Sequence, residues 1–277
     1  MPIIEPGNPE LKNLKGIHLW HVGLSTCSQR VRITLTELGH DFESHIVNLQ
    51  AGEQASEEYQ QIHPKGVVPA LIHDGTLLIE SVDIIAYLDT TLGNNRLQPE
   101  GKEDDIAALL AHADKAQAAL KVCTFEFLFS GGPQMSDETF ENFQKSHNSD
   151  YLVQFHRDYR AGFARDRIHA AVNAVDGDFQ ALEDRLSDGR TWLTGEDFTI
   201  ADIAWMPNFH RMDLLRWPLD RYPYLSSWFQ RASARDSYKT ALESWEPQPL
   251  FAVALPILDA RRARGDGIDN YGVLAGQ

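Results

Sequence analysis

Cysteine is scarce in this chain. Cys27 and Cys123 are the two in 277 residues, too few for a disulfide framework and without the Cys-x-x-Cys spacing of a dithiol oxidoreductase. No apolar run is long enough to span a bilayer, and Met1 to Lys15 lacks the basic-then-apolar order of a signal segment. Basic residues are in deficit, 25 against 40 acidic, leaving a formal net charge of -15. Long-range repulsion then disfavours nucleic acid, anionic membranes and polyanionic substrates. These absences predict a reducing, cytoplasmic protein whose partners are small molecules or other subunits.

With 43% hydrophobic residues the chain can bury two moderate cores. Residues 1–15, with Pro2, Pro6, Gly7 and Pro9, carry no sustained periodicity and read as an irregular arm. Gly16 to His21 sets Ile17 and Leu19 against His18 and Trp20, the alternation of a short half-buried strand, and Val31, Leu35 and Leu38 follow as a helical stripe. Between them Ser25 to Ser28 fall at the helix's opening, where free N–H groups and the macrodipole favour negative charge such as a thiolate. Phe42 to Asn48 predicts a further strand, and Gln50 to Gln61 a polar helical or irregular link.

Val68-Pro69-Ala70-Leu71-Ile72 comes next. A proline has no N–H for a ladder and belongs at a strand entrance, where a cis Val68-Pro69 bond leaves the backbone of Val68 open to an extended partner. Asp74-Gly75, between Ala70-Leu71-Ile72 and Leu77-Leu78-Ile79, is a strong hairpin signal. Glu80-Ser81 then stands where the second strand ends and a helix with Ile84, Ile85, Leu88 and Leu92 begins. A carboxylate, a hydroxyl and helix-start N–H groups suit the ammonium and carboxylate of an amino acid.

Beyond Gly93 the strands cease. Long helical periodicity starts at Ile106, Leu109, Leu110 and Ala113, and Ser130-Gly131-Gly132-Pro133 breaks it ahead of a polar insertion over 134–150. A second long helix is expected from about Asp150 to Leu186, its aromatic residues serving as core. Thr199-Ile200-Ala201-Asp202 has the form of a capping box that starts a buried helix, a folding device and not a catalytic one. The tail, 246–277, either folds back or packs on a neighbour. The expected fold class is an α/β domain followed by an all-α domain. The expected division is an arm over 1–15, the sheet domain over 16–93, a linker over 94–104, the helical domain over 105–245 and the tail.

The run His63-Pro64-Lys65-Gly66-Val67-Val68-Pro69-Ala70-Leu71, then Asp74-Gly75, Glu80-Ser81, Ile84 and Tyr87-Leu88, resembles the thioredoxin-like, glutathione-binding domain of cytosolic glutathione transferases. Trp192-Leu193-Thr194-Gly195 and Tyr222-Pro223-Tyr224-Leu225 with Trp228 are similar to their helical-bundle domain, which holds the substrate site. Ser25-Thr26-Cys27-Ser28-x-Arg30-Val31-Arg32 resembles the zeta class, the maleylacetoacetate isomerases, and the tetrachlorohydroquinone reductive dehalogenases, in which the cysteine two residues after the serine is a nucleophile. The resemblance covers roughly 16–245. It implies Ser25 as donor to the glutathione sulfur, Cys27 as a possible second thiol, Glu80 and Ser81 on the γ-glutamyl end, Val68 and Pro69 at the cysteinyl amide, Lys65 or nearby polar groups on the glycyl carboxylate, and a homodimer. No tyrosine occupies the activating position used by the alpha, mu and pi classes.

Three readings of function follow. The first is a glutathione-dependent transferase whose thiolate attacks a small hydrophobic or aromatic electrophile in conjugation, ether or thioether cleavage, or isomerisation. The second is a reductive dehalogenase or glutathione-disulfide reductase that uses Cys27, against which stands Cys27 as a small buried side chain. The third is a glutathione- or ligand-binding protein without turnover, which has no need of Ser25, Val68-Pro69 and Glu80-Ser81 together.

Overall fold

A computed structural model describes residues 3–132 and 134–275; Met1, Pro2, Pro133, Gly276 and Gln277, parts of the expected arm, break and tail, lie outside them. The chain divides into two compact units, Met1–Asn94 with Pro133–Ala161, and Asn95–Gly132 with Gly162–Gln277.

In the first unit, β1 (Ile3–Ile4), β2 (Ile17–His21), β3 (Glu43–Ile46), β4 (Ala70–His73) and β5 (Thr76–Ile79) form one sheet in the order β1-β5-β4-β2-β3. β3 is parallel to β2 and the other pairings are antiparallel. A parallel pair needs a crossover, supplied by α1 (Thr26–Leu38), whereas β4 and β5 meet through the two-residue Asp74-Gly75 turn. A short α2 (Glu57–Gln60) precedes β4, and α3 (Ser81–Leu92) packs beside α1. Alternation sends Leu19, Leu71 and Leu78 to one face, all fully buried, and Ala70, Ile72, Leu77 and Ile79 to the other, against Tyr59 and Ile62. This is the thioredoxin-like architecture. The arm is less irregular than expected: Ile3 and Ile4 pair with Leu78 and Leu77 and so cover the free edge of β5, a tertiary gain that local periodicity does not encode.

The chain leaves this unit for α4 (Glu103–Lys115) and α5 (Gln117–Cys123), then returns as α6 (Asp137–Ser146) and α7 (Asp150–Ala161). The polar insertion expected over 134–150 therefore carries α6, and together with α7 it clusters with the sheet and not with the helical domain. Ser136 caps α6, and Phe143 and Val153 pack on Ala55. The single long helix expected from Asp150 to Leu186 is divided. Its interruption is Gly162, at a φ of +86° that few side chains tolerate, and α8 (Arg165–Leu186) starts beyond it.

The second unit is all helical: α4, α5 and a π-helical turn over Thr124–Phe129, then α8, α9 (Ile200–Leu214), α10 (Pro223–Ser233), α11 (Asp236–Ala241) and α12 (Gln248–Ala263). The predicted capping box is present. Buried Asp202 accepts from Thr199 N at 2.9 Å, Leu193 N at 2.9 Å and Trp228 Nε1 at 2.8 Å, tying the start of α9 to the preceding turn and to α10. The tail folds back on its own unit: Arg261 of α12 donates to Glu126 O at 2.7 Å, and Gly272 N donates to His169 Nδ1 at 2.7 Å.

Candidate active site

Ser25 is the N-cap of α1, with φ -69° and ψ 118°, and its Oγ accepts from Ser28 N at 3.2 Å. That bond uses an oxygen lone pair and leaves the hydroxyl proton to be donated elsewhere. The residue is half-buried, and so is Cys27, a free thiol in the first turn. Cys123 differs: it is fully buried, and burial with Glu126 nearby pushes its thiol up to about 12, which makes it inert at neutral pH.

The loop that presents Ser25 is held from beneath by Arg32, an internal α1 residue that periodicity gives no reason to single out. Its guanidinium donates to Val22 O at 3.2 Å, Gly23 O at 2.8 Å and His21 Nδ1 at 3.0 Å. His21 Nε2 then donates to Ser44 Oγ at 2.8 Å. Burial, reinforced by the Arg32 charge, lowers the His21 pKa to about 3, so the imidazole stays neutral and serves as a fixed acceptor.

Glu80 joins β5 to α3 at φ 65°, a left-handed conformation costing a non-glycine residue on the order of 1–3 kcal/mol and retained where surroundings over-determine it. Its carboxylate meets the Lys65 ammonium at 2.5 Å. Ser81, buried in the first turn of α3, accepts from Arg30 Nη1 at 3.1 Å. Arg30 thus connects the helix that begins at Ser25 with the helix that begins at Ser81. The Val68-Pro69 peptide is cis, and the ladder starts only at Ala70, opposite Trp20. Among the described residues, the Val68 amide and carbonyl take no part in it.

The preceding loop has a support that sequence reasoning missed. His147, from the turn between α6 and α7, accepts at Nδ1 from Ser149 N at 3.0 Å, which fixes the tautomer whose Nε2 donates to Gly66 O at 3.2 Å. Asn148 Nδ2 donates to Pro64 O at 3.2 Å, and Gln60 Nε2 donates to Ser146 O at 2.8 Å. Gly66 sits at φ +57°, and a Cβ there would come within 2.7 Å of both Gln54 O and His147 Nε2, so the junction requires glycine. Beneath it His63 is buried, and that burial lowers its pKa to about 4 despite the attraction of Glu80.

The comparisons with known proteins accord with this layout. Residues 24–91 match the family model for the glutathione S-transferase N-terminal domain, and residues 164–231 that for the C-terminal domain. Glutathione S-transferase Z2 of Arabidopsis thaliana is 25% identical over 83% of this chain and 92% of its own length. Maleylacetoacetate isomerase of Mus musculus is 26% identical over 73% and 81%. The crystal structure of the beta-etherase LigF from Sphingobium sp. strain SYK-6 superposes with a TM-score of 0.73 at 26% identity, covering 82% of this chain and 99% of that one. The thioredoxin-like sheet domain and the helical domain that follows it are each matched, and this chain belongs to the glutathione S-transferase family.

Proposed function

We propose that this protein is a glutathione-dependent enzyme in which the Ser25 hydroxyl stabilises the glutathione thiolate for attack on a small hydrophobic or aromatic electrophile, with cleavage of an ether as the leading reaction. The observation that carries the proposal is Ser25 itself. It is half-buried at the start of α1, with its oxygen engaged by Ser28 N–H and its proton free to be donated. Similarity to a protein named a beta-etherase favours ether cleavage over the isomerisation named for the mouse relative.

The donor set fits glutathione. The Glu80 carboxylate suits the γ-glutamyl ammonium, the Ser81 hydroxyl and the first N–H groups of α3 suit the adjacent carboxylate, and the Val68 edge beside Pro69 suits the cysteinyl amide. Lys65 remains a candidate for the glycyl carboxylate, although its ion pair with Glu80 supports a position nearer the γ-glutamyl end. Bound glutathione supplies a thiol that, like free cysteine, titrates near about 8.5 and is mostly protonated at neutral pH. The Ser25 O–H and the amino end of α1 favour the anion at that sulfur. In ether cleavage a C–S bond forms, the C–O bond breaks with its electron pair leaving on oxygen, and water protonates the departing aryloxide, so no oxidant or reductant is needed.

Incubating the protein with glutathione and a panel of aryl ethers, haloaromatics and maleyl-type acids, with product identification, tests the proposal. Release of a phenol together with a glutathione thioether is expected. Failure of every electrophile despite measurable glutathione binding would replace it with the reading of a binding protein without turnover. The exposure of Cys27 in the first turn of α1 favours one rival, reductive chemistry through an enzyme–glutathione mixed disulfide. A second copy of the chain is the proposed partner, checked by sedimentation.

A further inference from the structure

Glutathione chemistry makes no use of one cluster of side chains on the sheet. In the parallel register of β2 and β3, His18 stands opposite Glu43 and Trp20 opposite His45, so all four project from the same face. His18 Nδ1 lies 3.1 Å from His45 Nε2 and 3.5 Å from a Glu43 carboxylate oxygen, and His45 Nε2 lies 3.7 Å from the other oxygen. Ligands on a tetrahedral ion at bond lengths of 2.0–2.1 Å are spaced by roughly 3.3 Å. The two ring nitrogens already have nearly that spacing, and with one Glu43 oxygen the three ligand atoms lie within 4.8 Å of one another.

We propose that His18, Glu43 and His45 form a binding site for one borderline divalent metal ion, with zinc as its natural class of occupant. Two imidazoles and a carboxylate make a donor set that suits zinc, and a fourth position stays open to water. The surroundings of the ligands support this. His18 Nε2 is 3.0 Å from Lys15 O and donates to it, which leaves Nδ1 as a lone pair facing the cluster, the arrangement that orients metal-bound histidines. His18 is buried, so this ring is held in place. The Trp20 indole lies 4.3 Å from the His45 ring at an interplanar angle of 12° and restrains it to movement in its own plane.

Without metal, His45 Nε2–H donates to His18 Nδ1. The two ring planes differ by 19° and their centroids lie 5.4 Å apart, so the two nitrogens face each other nearly head-on, and His45 must swing off that line before both lone pairs meet one ion. His45 shifts its ring proton to Nδ1 as Nε2 takes the metal, and Glu43, exposed on the edge strand, closes the third position. The ion clips β3, the edge strand, to β2, adding a second side-chain tie beside the one from His21 to Ser44. This inference is independent of the glutathione reading.

The test uses the full chain without a polyhistidine tag, treated with chelator and then dialysed. Calorimetric titration with Zn²⁺ is expected to give about one equivalent, and Co²⁺ to give the intense visible bands of tetrahedral coordination. His45→Ala and Glu43→Gln, both at accessible positions, should each weaken Zn²⁺ binding about 10- to 100-fold, while Mg²⁺ competes with neither ion. Saturating Zn²⁺ should raise the unfolding midpoint of the parent protein by roughly 5 °C and leave that of His45→Ala unmoved. Absence of saturable Zn²⁺ binding at micromolar concentrations, or stoichiometric binding that survives in both variants, overturns the site.

Discussion

The Arg30 guanidinium, wholly buried within α1, donates to the Ser81 hydroxyl at 3.1 Å and so ties the start of α3 to the helix that Ser25 caps. Ser81→Ala removes an acceptor from a buried cation as well as a donor for the proposed γ-glutamyl carboxylate. Both stability and glutathione affinity are expected to fall, each by about 1–3 kcal/mol, while Ser81→Thr keeps the hydroxyl and recovers most of the affinity. Calorimetry alongside urea unfolding separates the two effects, and unchanged affinity in Ser81→Ala removes Ser81 from the site.

Ser25→Ala loses both the helix cap and the proposed thiolate donor. About 1 kcal/mol of stability should go with the cap, and turnover should drop roughly 10²–10³-fold with a raised pKa for bound glutathione. Ser25→Asp distinguishes the roles, because it keeps a capping oxygen but has no hydroxyl proton: stability is expected to be retained and turnover lost. Rates near normal in both variants, with Cys27→Ser inactive, would transfer the chemistry to Cys27.

The two thiols should differ in reactivity. Cys27, half-buried at the opening of α1, is expected to react with a small alkylating reagent in the folded protein, whereas Cys123, sealed in the second unit and titrating at about 12, reacts only after unfolding. Mass spectrometry of partly alkylated protein reads this directly. Modification of Cys123 at the rate of Cys27 would contradict the packing around α5.

Acid should destabilise the first unit through its histidines. His21 and His63 have folded pKa values of about 3 and about 4, below the ordinary 6.5, so the unfolded chain binds more protons between those limits. The stability they contribute is complete above pH 6.5 and declines as pH falls, by about 2 kcal/mol per pH unit for the pair near pH 5.5. A urea midpoint at pH 5 equal to or above that at pH 7 refutes the assignment of both rings as buried and neutral.

Asp202 gathers hydrogen bonds from Thr199, Leu193 and Trp228 in a fully buried setting. Asp202→Ala strands these donors and is expected to cost about 3–5 kcal/mol. Denaturant unfolding measures the loss; a change below about 1 kcal/mol would mean that water or a neighbour replaces the carboxylate.

Strands β2 to β5, the Asp74-Gly75 hairpin, the place of Ser25 at the opening of α1 and the Thr199–Asp202 box were legible because each is written in residues close together in sequence. The strand made by Ile3 and Ile4, the Arg32 brace beneath Val22 and Gly23, and the seating of 146–148 on residues 60–66 were not. The first and the last depend on partners well removed along the chain, and a buried arginine has no periodic signature. Glu80 was named for its charge and position; its strained backbone is imposed by the fold around it.

The helical pair α6–α7 gives the first unit an order of assembly. A nascent chain that has emerged through Leu92 already holds every strand of the sheet and the cis-proline edge, yet Gln60, Pro64 and Gly66 still await partners at Ser146, Asn148 and His147. The whole stretch over 93–145 must be synthesised before those partners arrive. The sheet is therefore an early product of translation and its finished docking loop a late one, so the loop stays unbraced until residue 148 has emerged from the ribosome.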